Sequence, residues 1–212
     1  MKSAIFFDVD DTLCSTGVLH TQAFRRTFVE LGMDFSEFEY QNFSGHRTED
    51  VFSKILGENE KAKIAEASKL KRMHYRESIE EVKPMKGAIE LLQHLRSTGR
   101  KLYAVSSGSS ASVTATLAVT HLTEFFEEII TCETVNKTKP HPDPYERAIE
   151  LSGCAPIECL AVEDSETGTK SAVAAGLEVA LISPALSDWT RSYHIQHYQT
   201  LEQLLVRFQE KS

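Results

Sequence analysis

The chain has 212 residues, enough for one large domain or a core with a smaller insert. With 41% hydrophobic and 25% charged residues it has the balance of a soluble globular protein, so no long segment needs disorder to explain it. A formal charge of −8 argues against nucleic acid or an anionic membrane as the main partner, yet leaves a small anionic substrate open, because a local site can be positive on an acidic protein.

In chain order, the first apolar run is Ala4–Phe7, and it ends in Asp8, Asp10 and Asp11. From about Cys14 to Glu81 the periodicity is helical and shows no convincing strand. "HTQAFRRTFVELG" sets Phe24, Phe28 and Leu31 on one face and stops at Gly32, and "RTEDVFSKIL" and "KAKIAEASKLKRMHYRESIEE" follow. The basic run Lys69 to Arg72 reads as a solvated helix face, since acids interleave with it. "GAIELLQHLRSTG" carries Ile89, Leu91, Leu92 and Leu95 on one face and ends at Gly99. Strands are expected at Leu102–Val105, Glu128–Ile130, Leu160–Val162 and Glu178–Ile182, with helices in "DPYERAIELSG" and "TGTKSAVAAG" between them. The alternation predicts an α/β fold: a Rossmann-like parallel sheet core, residues 1–14 and 82–212, with an inserted all-helical cap, residues 15–81. A cap there would close over the carboxyl edge of the sheet, where parallel α/β proteins bind ligands.

Cys14, Cys132, Cys154 and Cys159 show no CxxC or finger spacing and read as reduced thiols. The N-terminus is too short and too soon acidic for a signal peptide, and no apolar run approaches a membrane span. A cytoplasmic protein is expected. The histidines of "HPDPY" and "WTRSYHIQHY" have no acidic partner at metal-ligand spacing, so no zinc site is expected; they read as helix start and packing.

Residues i and i+2 at a strand end point the same way, so Asp8 and Asp10 share one side while Val9 turns inward. Paired carboxylates suit a divalent cation. A turn with a helix cap at Asp11 or Thr12 accounts for them equally well. Three further segments tip the balance. "LYAVSSGSS" ends a strand in Ser106, Ser107 and Gly108, whose hydroxyls and N–H groups can hold a phosphate. "NKTKPHPDPY" sets Lys139 in a loop stiffened by Pro140 and Pro142. "LAVEDSETG" ends a strand in Glu163 and Asp164, a second acidic cluster that calls for a hard cation, Mg²⁺.

The order of these pieces, "DVDDTL", the Ser106 strand end, "KPHPDPY" and "VEDSETG…AVAAG", resembles the haloacid dehalogenase superfamily of phosphohydrolases essentially end to end. The helical cap after the first motif resembles its β-phosphoglucomutase-like branch. The resemblance implies that Asp8 is the nucleophile that forms an aspartyl-phosphate and Asp10 the general acid/base, with a raised pKa. Ser106, Ser107 and Lys139 would bind the transferring phosphoryl group. Asp8, the backbone carbonyl of Asp10, Asp164 and Glu163 would hold Mg²⁺. Asp11 replaces the glycine common in this motif, which bears on the turn geometry. His20, His46 and Arg47 are the cap candidates for substrate contact, each with a plain surface or helix-start reading beside it. The related sugar-phosphate mutases keep a cap lysine where Glu77 aligns, and their arginine after the glycine turn is displaced to Arg47, which weakens a mutase reading. The expected protein is a Mg²⁺-dependent phosphatase acting on a small phosphorylated metabolite, as a monomer. A sugar phosphomutase and a non-catalytic binding protein on the same scaffold are the alternatives.

Overall fold

A computed structural model describes residues 2–36, 38–193 and 195–210. The elements in chain order are β1 (Ala4–Phe7), β2 (Cys14–Ser15), α1 (Gly17–Glu30), α2 (Thr48–Leu56), α3 (Lys61–Glu77), β3 (Lys83–Pro84), α4 (Ala88–Ser97) and β4 (Lys101–Val105). They continue with α5 (Ser110–Val119), β5 (Glu128–Ile130), α6 (Asp143–Ser152), β6 (Cys159–Glu163), α7 (Glu166–Ala174), β7 (Glu178–Ile182), β8 (Gln196–Tyr198) and α8 (Leu201–Gln209).

All four residues of β1 are buried, and a strand covered on both faces belongs inside a sheet. It lies centrally in a six-stranded parallel sheet of order β5-β4-β1-β6-β7-β8. Side chains alternate between the faces. Ile5 and Phe7 join one core with Leu91, Leu92 and Leu95 of α4, Leu117 of α5 and Leu204 of α8. Ala4 and Phe6 join another with Tyr145 and Ala148 of α6 and Ala172 of α7. In register, Phe7 pairs with Ala104 and Val162, so β1, β4 and β6 finish level and release Asp8, Ser106 and Asp164 at one edge.

Helices α1 to α3 form a unit with its own core of Phe24, Phe28, Val51, Phe52 and Ala67. Phe28 meets Phe38 edge to face at 4.9 Å, and Phe24 lies 5.4 Å from Phe52. Each such burial contributes about 1.5–3 kcal/mol, so the unit is held by its own apolar contacts. Its base is an antiparallel ribbon in which Cys14 opposes Pro84 and Ser15 opposes Lys83.

Three local expectations change. Ile89 is 37% exposed, and the buried face of α4 is Ala88, Leu91, Leu92 and Leu95. The stretch Cys14–Ser15 is a short strand where only helix is expected, and α5, β8 and α8 are additional elements. In "WTRSYHIQHY", His197 Nε2 contacts the Ser183 carbonyl at 2.8 Å, while His194 lies outside the described residues.

Candidate active site

Asp8, at the end of β1, is 5% exposed. Its Oδ1 accepts from the Lys139 ammonium at 2.7 Å. The same nitrogen donates to Glu163 Oε1 at 2.6 Å and to the Val105 carbonyl at 2.9 Å. Lys139 is therefore no surface lysine: it is 1% exposed, and the two carboxylates raise its pKa against the opposing effect of burial. Glu163 is wholly buried and also accepts from the Tyr145 hydroxyl at 2.5 Å and from Ser165 Oγ at 3.3 Å. Thr12 Oγ1 reaches Asp164 Oδ1 at 3.4 Å.

Asp8, Glu163 and Asp164 each place a carboxylate oxygen within 4.8 Å of the others. One ammonium faces these three acids, so with all three ionised two negative charges stand unbalanced. Burial, followed by the mutual repulsion of the acids, pushes the Asp164 pKa up. Asp8 is pushed up as well, chiefly by burial and against the pull of Lys139. An all-oxygen, doubly negative donor set of this kind fits a hard divalent cation such as Mg²⁺. The Asp10 side chain is outside this group.

Asp10 instead faces the helical unit. Its Oδ1 accepts from Thr16 Oγ1 at 2.8 Å and from His20 Nε2 at 3.1 Å. Lys71 Nζ lies 2.6 Å from His20 Nδ1. An ammonium can only donate, so Nδ1 accepts and Nε2 carries the proton given to Asp10. The ring is stacked 4.3 Å from Tyr75 and 5.4 Å from Tyr40. Burial and then the Lys71 charge lower the His20 pKa, so the imidazole is neutral at pH 7. For Asp10, burial acts upward, but His20 and Thr16 outweigh it and the carboxyl comes down to about 2. The expected raised pKa is thus not found; Asp10 is held as a carboxylate by its donors.

Asp11 has φ 58°, the left-handed turn that a glycine adopts freely and that Asp tolerates. The substitution in this motif therefore keeps the turn. Asp11 Oδ1 accepts from the N–H groups of Thr16 at 3.0 Å and Gly17 at 2.8 Å, capping the start of α1. The capping reading of Asp11 is thus seen, and it leaves the Asp8 and Asp10 carboxylates free of that role.

Ser106 Oγ is 3.5 Å from Asp10 Oδ2 and accepts from the Gly108 N–H at 3.0 Å. Ser107 Oγ is buried without a hydrogen-bond partner among the described residues. Two adjoining clefts run along the seam between sheet edge and helical unit. Asp8, Asp10, Ser106, Tyr40 and His46 line one; Asp10, Arg47, Lys71, Arg72 and Ser107 line the other. His46 touches Thr167 Oγ1 at 3.3 Å across the seam. Arg47 Nε is 3.0 Å from Glu49, and Arg72 meets the same carboxylate at 2.5 Å.

The structure therefore brings together all of the core residues and the three cap residues expected from the sequence. It corrects the basic run: Lys71 is 4% exposed and faces the cavity. Glu77 pairs with Arg26 at 2.6 Å on the surface. Sequence reasoning also missed Tyr145. The signal for Lys71 was present, since Ala67, Lys71, His74 and Tyr75 share one face of α3.

The model of the haloacid dehalogenase-like hydrolase family matches residues 5–182. Among curated relatives, Protein CbbY of Rhodobacter capsulatus is 36% identical over 200 residues, covering 89% of this chain and 87% of its own. Pyrophosphatase PpaX of Oceanobacillus iheyensis is 30% identical over 192 residues, covering 90% and 88%. CbbY of Rhodobacter sphaeroides, solved with phosphate, superposes with a TM-score of 0.81 at 25% identity, covering 96% of each chain. A mutant of that protein was solved with xylulose-(1,5)bisphosphate. With motif order, fold and match in agreement, the chain belongs to the haloacid dehalogenase-like hydrolases and is an enzyme of their phosphatase class.

Proposed function

We propose that the protein is a Mg²⁺-dependent phosphatase for a small phosphorylated metabolite, working through an aspartyl-phosphate on Asp8, with residues 15–81 acting as its cap. The observation that carries this reading is the buried Asp8–Lys139–Glu163–Asp164 cluster, doubly negative in sum, with Asp10 beside it. Asp8, Glu163, Asp164 and the Asp10 carbonyl would hold the metal, which when bound neutralises charge on the phosphoryl oxygens.

Lys139 fixes the Asp8 carboxylate by its Oδ1, so the group meets phosphorus in one orientation. Ser106 and Ser107 hold the transferring oxygens. An arriving phosphate dianion lifts the Asp10 pKa by like-charge repulsion, so that Asp10 carries the proton to the leaving oxygen. Once the leaving group has gone, Asp10 is again a carboxylate braced by Thr16 and His20, the form that deprotonates water for attack on the acyl phosphate. The cap excludes bulk water during the first step.

Arg47, Lys71 and Arg72 line the outer cavity and suit a leaving group with a second anionic end, such as a sugar bisphosphate. The ligand seen with CbbY of Rhodobacter sphaeroides has that character. The free thiols support a reducing, cytoplasmic setting. A second reading, a phosphomutase, gains from Lys71, which restores the cap lysine that alignment had missing.

The test is phosphate release from a panel of mono- and bisphosphorylated sugars with and without Mg²⁺, beside Asp8→Asn. Release that needs Mg²⁺ and falls by about 10³-fold or more in the variant is expected. Isomerised product with little free phosphate would instead assign a mutase. Equal turnover by wild type and variant would remove the mechanism.

A further inference from the structure

A second basic site lies at the amino edge of the sheet, opposite the catalytic edge. A groove of about 300 Å³ is lined by Lys2, Arg100, Arg207 and Glu178, over a floor that includes Leu160, Leu204 and Phe208. On a chain with a formal charge of −8, three cations against one acid in a single groove stand out. The acid is already engaged: Glu178 accepts from Lys2 at 3.1 Å and from Gln196 at 3.2 Å. Neither arginine has a carboxylate within ion-pair distance among the described residues.

Arg100 is the built part of the site. It is 5% exposed, and its Nε is buried with no hydrogen-bond partner among the described residues. Nη1 donates to Thr98 Oγ1, and the guanidinium carbon stacks 5.0 Å from the Phe208 ring centroid. Burial lowers its pKa with no acid drawing it back. A desolvated guanidinium with an unused donor is costly unless an anion completes it. Arg207, on α8, is half-buried and lines the same groove.

We infer that this groove binds a small phosphate-bearing anion, its dianionic head on Arg100 and Arg207 and any organic part on the Leu160–Leu204–Phe208 floor. The two arginines supply forked donors that match phosphate oxygens. The site is separate from the catalytic centre, and the inference does not depend on which substrate is turned over there.

The test is amide-resolved NMR titration of the full chain with orthophosphate, phenylphosphonate and chloride at equal ionic strength. Saturable shifts are expected at Arg100, β8 and α8, with their own dissociation constant, beside those at Ser106–Gly108. Tighter binding of phenylphosphonate assigns an ester; equal binding assigns free phosphate; both support the site. Arg207→Ala weakens the amino-edge binding by about tenfold or more, the loss of one charge-assisted contact. That variant leaves the Ser106–Gly108 shifts and basal turnover unchanged, and it spares the buried Arg100, so misfolding does not confound it. Shifts confined to the catalytic edge, shifts that chloride reproduces, or shifts that Arg207→Ala does not weaken would overturn the inference.

Discussion

Lys71 shows how one buried side chain sets a pH dependence. Burial lowers its pKa from 10.5 to about 8, although Asp10 opposes the shift. Unfolding returns the ammonium to water, so the unfolded chain binds more protons between pH 8 and 10.5. The penalty on stability, on the order of 3 kcal/mol, is therefore complete below pH 8 and is relieved as pH rises through that window. Denaturant midpoints measured across it should rise relative to those of Lys71→Met. Loss of the same charge also weakens the pocket for an anion. KM should climb above about pH 8, and Lys71→Arg, which stays charged, should flatten that climb. The burial of this lysine was hard to read from sequence, because "KLKR" between acids looks like a wetted surface. Only its register with Ala67 and Tyr75 betrays it.

At the scale of elements, α7 begins hard against the site. Ser165 caps it by accepting from the Gly168 N–H at 3.1 Å, and its hydroxyl also reaches Glu163. A Cβ on Gly168 would sit 2.0 Å from Glu163 Oε1, which Lys139 and Tyr145 already hold. Alanine ordinarily gains about 1 kcal/mol over glycine inside a helix. Here Gly168→Ala should instead lower the melting temperature and cut kcat by at least about 10²-fold, the effect of moving a reacting group by an ångström. Differential scanning calorimetry and steady-state kinetics would check both. Strands built on apolar runs were legible from sequence: β1, β5 and β7 fall where their runs predict, and β4 and β6 each extend slightly beyond theirs. The edge strand β8 was not legible, because Gln196, His197 and Tyr198 are exposed or half-buried and give no apolar alternation. Helix α5, "SASVTATLAV", escaped because its small and apolar residues are spread round the helix, leaving no one-sided stripe.

For the whole molecule, the proposed metal binding at the acidic cluster would be linked to folding, since the native state alone brings the three carboxylates together. A cation at about a hundred times its dissociation constant adds about 2.7 kcal/mol, roughly 5–10 °C in melting temperature for a chain of this size. Mg²⁺ should therefore raise the melting temperature of the wild type, and chelation should reverse it. Asp164→Asn removes one of the repelling charges. Its metal-free form should melt at or above the wild type, while its response to Mg²⁺ should largely vanish. Thermal shift assays with and without chelator separate these outcomes. The three partners of Lys139 also have a meaning beyond chemistry: Val105 closes β4, Asp8 follows β1 and Glu163 closes β6. A single nitrogen thus rivets three neighbouring strands at their tips. A descendant that gave up turnover would still need Lys139, so architecture would preserve the lysine long after the reaction had ceased to matter.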